Sequence, residues 1–244
     1  MIECGESDVQ IVYLHRNTDP VLKQTEERKE ILVIGDNVST YLNYGQFLWN
    51  NAVDSIGRNQ VPFNEAMNLT KKYNVQDASY FIVKNWKENT LLFNHYVSMG
   101  SMQYQEPLPQ FKWEKKEGVE TICGYLCKIA ICDFRGRKWI AYYTNDIANS
   151  DGPWKFNGLD GAILKVVSED SEHCFEALQI IFSKQKNQYE DRSKSSIMTT
   201  REKYEKALYR HKTNPSQSMA GIVTNTDGSP IEMERKFYNP EEKN

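Results

Sequence analysis

Four histidines and five cysteines are the side chains of this sequence best suited to metal binding or nucleophilic chemistry. His173 and Cys174 are neighbours, but consecutive strand residues point to opposite faces, so the two cannot form a Cys–His dyad. The pair Glu172–His173 alone does not supply the several ligands at fixed spacing that a metal site needs. The other three histidines stand singly in strand or helix patterns: His15, His95 and His211. The sequence therefore predicts no metal site.

Two of the cysteines, Cys123 and Cys127, fall on one face of an extended chain, four residues apart. At a rise of about 3.3 Å per residue, their Cα atoms would lie about 13 Å apart, too far for a disulfide bond or a shared zinc ion. We interpret both as small apolar core residues. The odd number of cysteines leaves at least one unpaired or paired between chains.

Motifs of well-known enzymes are missing from the sequence. It has no Gly-x-Ser-x-Gly, no glycine-rich phosphate loop and no His-Glu-x-x-His. Asp133, Asp146 and Asp160 lie near predicted turns, where aspartate is favoured for local hydrogen bonding. We therefore predict no catalytic set and no cofactor, while the sequence leaves open a glycosidase-type pair of carboxylates.

The charge distribution argues against nucleic acid as a partner. The net charge is -3, with 30 basic and 33 acidic residues, and the basic clusters at 112–116 and 184–192 are interrupted by acids. No stretch approaches the roughly 20 apolar residues that span a bilayer. The first residues lack the features of a signal peptide, which leaves a cytoplasmic protein or an exported one whose signal has been removed.

Alternating and β-branched patterns predict a mainly β (α+β) fold, and 14 Tyr, 10 Phe and 5 Trp favour a sheet over a helical bundle. Strands are predicted at residues 9–15, 30–34, 38–42, 80–84, 91–97, 121–134, 138–144, 163–167 and 174–182. Apolar spacing predicts two short helices, at about 63–73 and, after a capping box at Thr199 and Glu202, at about 200–212. The remaining predictions are irregular polar stretches at 49–60 and 183–196, an edge strand at 230–235 and a polar tail from about 236.

Long antiparallel strands joined by short turns predict one domain over residues 1–244, built as a curved antiparallel sheet or a partly open barrel. Arg135-Gly136-Arg137 separates two strand patterns and predicts a hairpin. We interpret its arginines as solvent-exposed turn residues, with anion binding as the alternative. Asp160-Gly161 predicts a tight turn with Gly161 at positive φ.

An ordered series of short motifs covers most of the chain. They are Tyr-Gln-Glu-Pro-Leu-Pro at 104–109 followed by Trp113, Cys-Gly-Tyr-Leu-Cys-Lys at 123–128, Phe-Arg-Gly-Arg at 134–137, Ala-Tyr-Tyr-Thr at 141–144, Gly-Pro-Trp-Lys-Phe at 152–156 and Gly-Leu-Asp-Gly-Ala-Ile-Leu at 158–164. The series resembles the GLPGLI family of Gram-negative bacteria. In the last motif, Asp160 stands in place of the family's proline and Ala162 in place of its second leucine.

This resemblance implies export to the periplasm or cell envelope, because members of that family usually carry a signal peptide. It implies no established activity and no known site residues, because the family has no assigned function. The curved sheet that it implies is similar to lipoprotein-carrier half-barrels, although a fold does not determine a function.

Our leading hypothesis is a non-enzymatic protein that holds an apolar small molecule, a lipid or a partner peptide in an aromatic-lined concavity. The candidate ligand-binding residues are Trp113, Tyr125, Arg135, Arg137, Trp139, Tyr143 and Trp154; alternatively, each aromatic fills the core. The second hypothesis is a hydrolase with an unrecognised site, and the third is an assembly partner of outer-membrane proteins that binds through a sheet edge. A large apolar pocket favours the first, converging polar groups the second and a flat exposed edge the third.

Overall fold

The computed structural model describes residues 2–75, 80–97, 100–189, 194–218, 229 and 231–243. The strands in chain order are β1 (Ile2–Asp19), β2 (Gln24–Gly35), β3 (Val38–Asn43), β4 (Tyr80–Asn85), β5 (Thr90–Val97), β6 (Gly100–Pro107), β7 (Glu114–Ile122), β8 (Tyr125–Phe134), β9 (Arg137–Thr144), β10 (Ala162–Ser168), β11 (His173–Tyr189) and β12 (Ser196–Met198). They form one open sheet in the order β12-β6-β5-β4-β3-β2-β1-β11-β10-β9-β8-β7. Neighbouring strands are antiparallel, except for the short parallel pair β12–β6. The predicted mainly antiparallel β fold is confirmed.

A salt bridge between distant strands shows how strongly the sheet curls. Glu106 lies in β6 and Arg135 in the turn between β8 and β9, eight to nine strand positions apart. In a flat sheet, at about 4.8 Å per strand, these positions would be roughly 40 Å apart. Their side chains nevertheless form two hydrogen bonds, of 2.7 and 3.3 Å. The two halves of the sheet therefore face each other across an inner face.

The core lies mainly on this inner face. Alternate residues of each strand point inward, and those of β1, β4, β9 and β11 join one large apolar cluster that includes Tyr13, Ile82, Trp139 and Phe175. A smaller cluster on the outer face consists of Val12, Ile31 and Val33, partly covered by aromatic residues of the first helix.

The helices are α1 (Tyr44–Ile56), α2 (Phe63–Lys72), α3 (Arg201–Thr213) and α4 (Pro215–Ser218). The predicted irregular stretch at 49–60 is wrong, because α1 covers most of it. Asn43 begins this helix, since its side-chain oxygen accepts a hydrogen bond from the Gln46 amide at 3.0 Å. Sequence reasoning missed α1 because it looked for a regular apolar stripe, whereas only Val53 of α1 is fully buried.

Both predicted helices are confirmed, with differences in detail. In α2 two residues of the predicted apolar stripe are exposed: Phe63 and Met67 are 77% and 44% accessible, and no residue of the helix is fully buried. In α3 the N-cap is Thr200 rather than Thr199, and its hydroxyl accepts from the Lys203 amide. No helix in the described part of the chain is long and apolar enough to cross a membrane.

The single long strand predicted at 121–134 is wrong. β7 ends at Ile122 and β8 begins at Tyr125, and the two pair as a hairpin through Cys123 and Gly124. Both turn residues have positive φ, 52° and 84°, as a two-residue turn with the twist of the strands requires. Cys123 is therefore exposed in a turn, while Cys127 is a buried core residue as predicted.

The other predicted turns are confirmed. β8 and β9 form an antiparallel hairpin through Arg135 and Gly136, which have φ of 45° and 77°. Gly161 has a positive φ, and a Cβ there would overlap the Thr144 carbonyl oxygen. This close approach, added to the backbone conformation, explains why glycine is needed at position 161.

Two predictions for the last third of the sequence are wrong, the loop at 183–196 and the strand at 230–235. Residues 183–189, predicted as a loop, continue β11, and residues 231–235 form no strand; Pro230 lies outside the described residues. The predicted polar tail from about 236 lies against the sheet, with Asn239 and Glu242 buried. Its polar composition is that of a solvated tail, but charged side chains of this stretch form ion pairs on the inner face of the sheet, such as Glu242 with Lys155.

Candidate functional site

A stretch without helix or strand, residues 235–243, crosses the inner face of the sheet; we term it the docked segment. Side chains of the sheet bind the middle of this segment. Asn17 Nδ2 donates a hydrogen bond to the Asn239 carbonyl oxygen at 2.8 Å, and Asn239 Nδ2 donates to the Thr18 carbonyl oxygen at 2.8 Å. Arg137 also donates to the Asn239 side-chain oxygen. β1 and β9 thus recognise the main chain and one side chain of the segment together.

Both ends of the docked segment are fixed as well. Asp19 Oδ2 accepts hydrogen bonds from Arg235 Nη1 at 2.7 Å and from the Tyr238 amide at 2.8 Å. Burial alone would raise the pKa of Asp19, but these and neighbouring donors hold it well below its usual range. At the other end, the Lys243 amide donates to the Arg135 carbonyl oxygen at 2.8 Å. The segment therefore runs from the end of β1 to the β8–β9 turn.

One carboxylate of the docked segment lies in a cage of three cationic side chains. Glu242 Oε1 accepts from Lys155 Nζ and Arg135 Nη1, both at 2.6 Å, and Oε2 accepts from Arg201 Nη1 at 3.2 Å. The Lys155 and Glu242 side chains are 1% and 8% exposed. Burial alone would raise the pKa of Glu242, but the Lys155 charge, a hydrogen bond with Glu205 and the Arg135 charge lower it to about 2. The cage therefore selects an ionised carboxylate at neutral pH.

A second buried ion pair fixes the loop that carries Lys155. Lys84 Nζ lies 2.5 Å from Asp151 Oδ1 and donates to the carbonyl oxygens of Gly152 and Phe156 at 2.8 and 3.1 Å. Both charged side chains are fully buried. Removal of either partner would leave an uncompensated buried charge, which is strongly destabilising. The pair thus holds the loop in the position that presents Lys155 to the docked segment.

The predicted solvent exposure of the two turn arginines is wrong. The Arg137 side chain is 1% exposed and lies 2.7 Å from Asp170 and 2.9 Å from Glu172. Arg135 binds Glu106 as well as the docked segment. Both arginines form ion pairs with carboxylates of the chain itself, and binding of an anionic ligand stays a prediction.

Three of the five predicted aromatic residues are packed in the core: Trp139, Tyr143 and Trp154, each at most 2% exposed. Trp139 and Trp154 contact Phe156, with ring centroids 4.9 and 5.1 Å from it. Trp113 and Tyr125 are half-buried and pack against the same cluster. Trp154 also lines a small cavity beside the docked segment. Trp139, Tyr143 and Trp154 are therefore core residues, and Trp154 lies beside the docked segment.

Little open volume remains beside the docked segment. The two cavities described there measure about 70 and 30 Å³, and Glu241 and Tyr204 line both. A small-molecule site typically occupies about 300–1,000 Å³. A larger pocket of about 370 Å³ lies between α1 and the outer side of β1 and β2, with Glu27 and Lys29 in its lining. With the segment in place, the space left on the inner face is therefore below the size of a typical small-molecule site.

The prediction that His15 stands alone is wrong. Its Nε2 lies 3.3 Å from Nδ1 of His173, on the neighbouring strand, and both side chains are fully buried. Burial, followed by the charges of His15 and Arg137, holds the pKa of His173 well below its usual range. Glu241 of the docked segment approaches the pair, so that one ligand atom from each of the three residues lies within 4.8 Å of the others. These residues could hold a metal ion.

Sequence reasoning missed Lys155 and Glu242, the most buried ion pair of the docked segment. They are 87 residues apart, and no local pattern connects them. One available signal was the position of Lys155 inside the Gly-Pro-Trp-Lys-Phe motif. A charged residue within a run of aromatic residues is unusual unless it has a partner.

Comparisons with known proteins support the fold. No family model matches the sequence, and no curated protein matches it. Two solved structures, titled "Structure of PNGF-II in P21 space group" and "Structure of PNGF-II in C2 space group", are similar with TM-scores of 0.52 and 0.51. Each is 15% identical and covers 86% of this chain, which spans 34% of theirs. Fold and site together define an open, curled, mainly antiparallel β-sheet that holds an extended segment on its inner face.

Proposed function

We propose that this chain is a binding protein whose curled sheet receives an extended peptide segment, and that residues 235–243 occupy this groove in cis. The cage around Glu242 carries the proposal. It gives the Glu242 carboxylate three cationic neighbours, which also pair with Glu106 and Glu205 of the fold, while Asn17, Arg137 and Asp19 bind the main chain or the amide side chain nearby. Main-chain recognition together with a pocket for one side chain is a general way to bind an extended peptide.

The contacts favour a peptide over an apolar small molecule or lipid. The groove is lined by charged and amide side chains that now pair with the docked segment. An apolar ligand in its place would bury these groups without hydrogen-bond partners, which costs free energy. The cavities beside the segment, of about 70 and 30 Å³, add little apolar volume. A trans ligand would therefore replace the docked segment rather than fill an existing space.

The sheet edges support this preference over an edge-binding partner. β7 lies at one edge and begins Glu114-Lys115-Lys116-Glu117, all exposed. Charges along an edge strand discourage the addition of another strand. At the other edge, β12 has three residues. We further propose a location in the periplasm or cell envelope, and the resemblance of residues 158–164 to the GLPGLI motif supports it.

A binding assay with a labelled peptide tests the proposed function. The peptide Arg-Lys-Phe-Tyr-Asn-Pro-Glu-Glu-Lys copies residues 235–243 and would be titrated against the 244-residue chain and its Glu242→Ala variant, with fluorescence anisotropy as the signal. In the unchanged chain, the tethered segment competes with the added peptide at an effective concentration of order mM. A variant whose own segment binds the groove less tightly should therefore leave the groove free for the peptide. We expect the variant to bind at least tenfold more tightly than the unchanged chain.

Matched controls make the assay specific. Glu234 lies just outside the docked segment and is exposed, so Glu234→Ala should bind the peptide like the unchanged chain. A peptide with Gln in place of the Glu that corresponds to 242 should bind the Glu242→Ala chain at least tenfold more weakly. Equal binding of both peptides, or no binding to a folded Glu242→Ala chain, would contradict the proposal.

A further inference from the structure

A pair of buried histidines lies where the docked segment crosses the centre of the sheet. His15 is in β1 and His173 in β11, which are hydrogen-bonded neighbours. The third member of the cluster, Glu241, comes from the docked segment. The cluster thus joins two strands and the segment, and it is distinct from the Glu242 cage.

The spacing of the two rings matches the geometry of a metal centre. In a tetrahedral site with Zn–N bonds of about 2.0–2.1 Å, two nitrogen ligands are about 3.3–3.4 Å apart. His15 Nε2 and His173 Nδ1 are 3.3 Å apart. A cation at this position would be bound by these two nitrogens, which face each other between β1 and β11.

The surroundings of the cluster also resemble those of a metal site. Glu30 Oε2 lies 3.5 Å from Nδ1 of His15, on the side of the ring away from His173, and Tyr41 donates to the same oxygen at 2.5 Å. A carboxylate on this side of a histidine is a usual outer-shell neighbour in metal sites, and here Glu30 lies at ion-pair distance from His15 without a hydrogen bond to it. Tyr80 similarly donates to Glu241 Oε1 at 3.4 Å.

From this geometry we propose that His15, His173 and Glu241 form a binding site for a divalent cation of the zinc type. Two histidines and one carboxylate are a common ligand set for zinc with a further position open to water. Glu241 also lines the cavity of about 70 Å³, so its carboxylate lies at the boundary between the two histidines and this space. Because one ligand belongs to the docked segment, bound metal stabilises the docked arrangement, and undocking weakens metal binding.

Metal titration of the chelator-treated 244-residue chain tests this site. Calorimetry with ZnCl₂ should show one equivalent bound, and Co²⁺ should give the visible absorption bands of a tetrahedral centre. His173→Gln and Glu241→Gln should each weaken Zn²⁺ binding at least tenfold. His211→Gln is the control for metal ligation, because His211 lies on α3 outside the cluster; it loses only a contact with Lys236 of the docked segment, and it should bind Zn²⁺ like the unchanged chain.

The Glu241→Gln variant keeps the test valid if His173→Gln fails to fold, since its change lies in the docked segment and leaves both strands intact. Zn²⁺ should also raise the melting temperature of the unchanged chain and of His211→Gln, but not that of Glu241→Gln. Absence of stoichiometric binding, or equal affinity of the unchanged chain and a folded Glu241→Gln chain, would overturn the metal site. Neither result would bear on peptide binding, which the labelled-peptide assay measures separately.

Discussion

Lys155 Nζ lies 2.6 Å from Glu242 Oε1, with 1% and 8% of the two side chains exposed. The two residues come from a loop on the sheet and from the docked segment, so this contact joins the fold to the segment in the groove. Without Glu242, Lys155 keeps Glu106 Oε1 and the Tyr104 hydroxyl, both 2.9 Å from its Nζ, so the remaining charge stays partly compensated and the loss is smaller than for a buried pair with no other partner.

Replacement of Glu242 should therefore destabilise both the chain and the docked segment. We expect Glu242→Gln to lower the free energy of unfolding by about 1–3 kcal/mol, because Gln keeps an acceptor oxygen but removes the charge that pairs with Lys155, Arg135 and Arg201. Urea denaturation measures this change, with Glu234→Gln as the exposed control. A loss below about 0.5 kcal/mol would mean that the cage does not hold the segment.

Acid should release the docked segment through the same carboxylate. The pKa of Glu242 is lowered from 4.5 to about 2, so its contribution to stability is fully present above about pH 4.5 and is lost as the pH falls toward 2. The pKa values of Asp19 and Asp170 are lowered as well, so they add to the loss at low pH. Melting temperatures measured from pH 7 to pH 2 should fall less steeply for Glu242→Gln than for the unchanged chain. Parallel curves would exclude Glu242 as a source of acid sensitivity.

A pair of glycine variants separates backbone strain from contact with the docked segment. Gly136 and Gly124 both occupy hairpin turns, with φ of 77° and 84°. A Cβ on Gly136 would overlap the Lys243 carbonyl oxygen, whereas a Cβ on Gly124 would meet nothing within 4 Å. Each Ala variant should lose about 1–2 kcal/mol from the left-handed conformation. Gly136→Ala should lose more and should speed hydrogen exchange in residues 235–243; equal losses in urea denaturation would count against the contact.

Replacement of the buried tryptophans should lower the free energy of unfolding. Trp139→Ala and Trp154→Ala should each cost about 3–5 kcal/mol, as is typical for large aromatic residues of a core. Phe63→Ala is the control: Phe63 is 77% exposed on α2, and its loss should change stability by less than about 0.5 kcal/mol. If urea denaturation shows the same free energy of unfolding for either tryptophan variant as for the unchanged chain, that tryptophan would line an open concavity rather than fill the core.

The sequence predicted features that depend on neighbouring residues. The β8–β9 hairpin followed from glycine between two strand patterns, and α3 followed from its N-terminal cap and apolar spacing. The Cys123–Gly124 turn was missed because both flanking stretches continue an apolar alternation, which hid the two-residue break.

The candidate site could not be predicted in the same way, because its parts are distant in the chain. His15 and His173 are 158 residues apart, and Glu242 and Arg135 are 107 apart. A charged stretch such as 235–243 has the composition of a solvated tail unless its partners are known. Those partners become visible once the curl of the sheet brings β6 and the β8–β9 turn together. The GLPGLI resemblance, export and ligand class stay predictions.

Displacement of the docked segment by a free copy of itself tests the central claim most directly. In NMR spectra of the isotopically labelled 244-residue chain, unlabelled peptide Arg-Lys-Phe-Tyr-Asn-Pro-Glu-Glu-Lys would be added to several mM, about the effective concentration of a tethered segment. We expect the amide signals of Tyr238, Asn239 and Lys243 to move toward those of a free peptide, while those of Asn17 and Arg137 stay in the folded spectrum. If the three signals remain unchanged at saturating peptide, the segment is a permanent part of the fold and the groove is not a peptide-binding site.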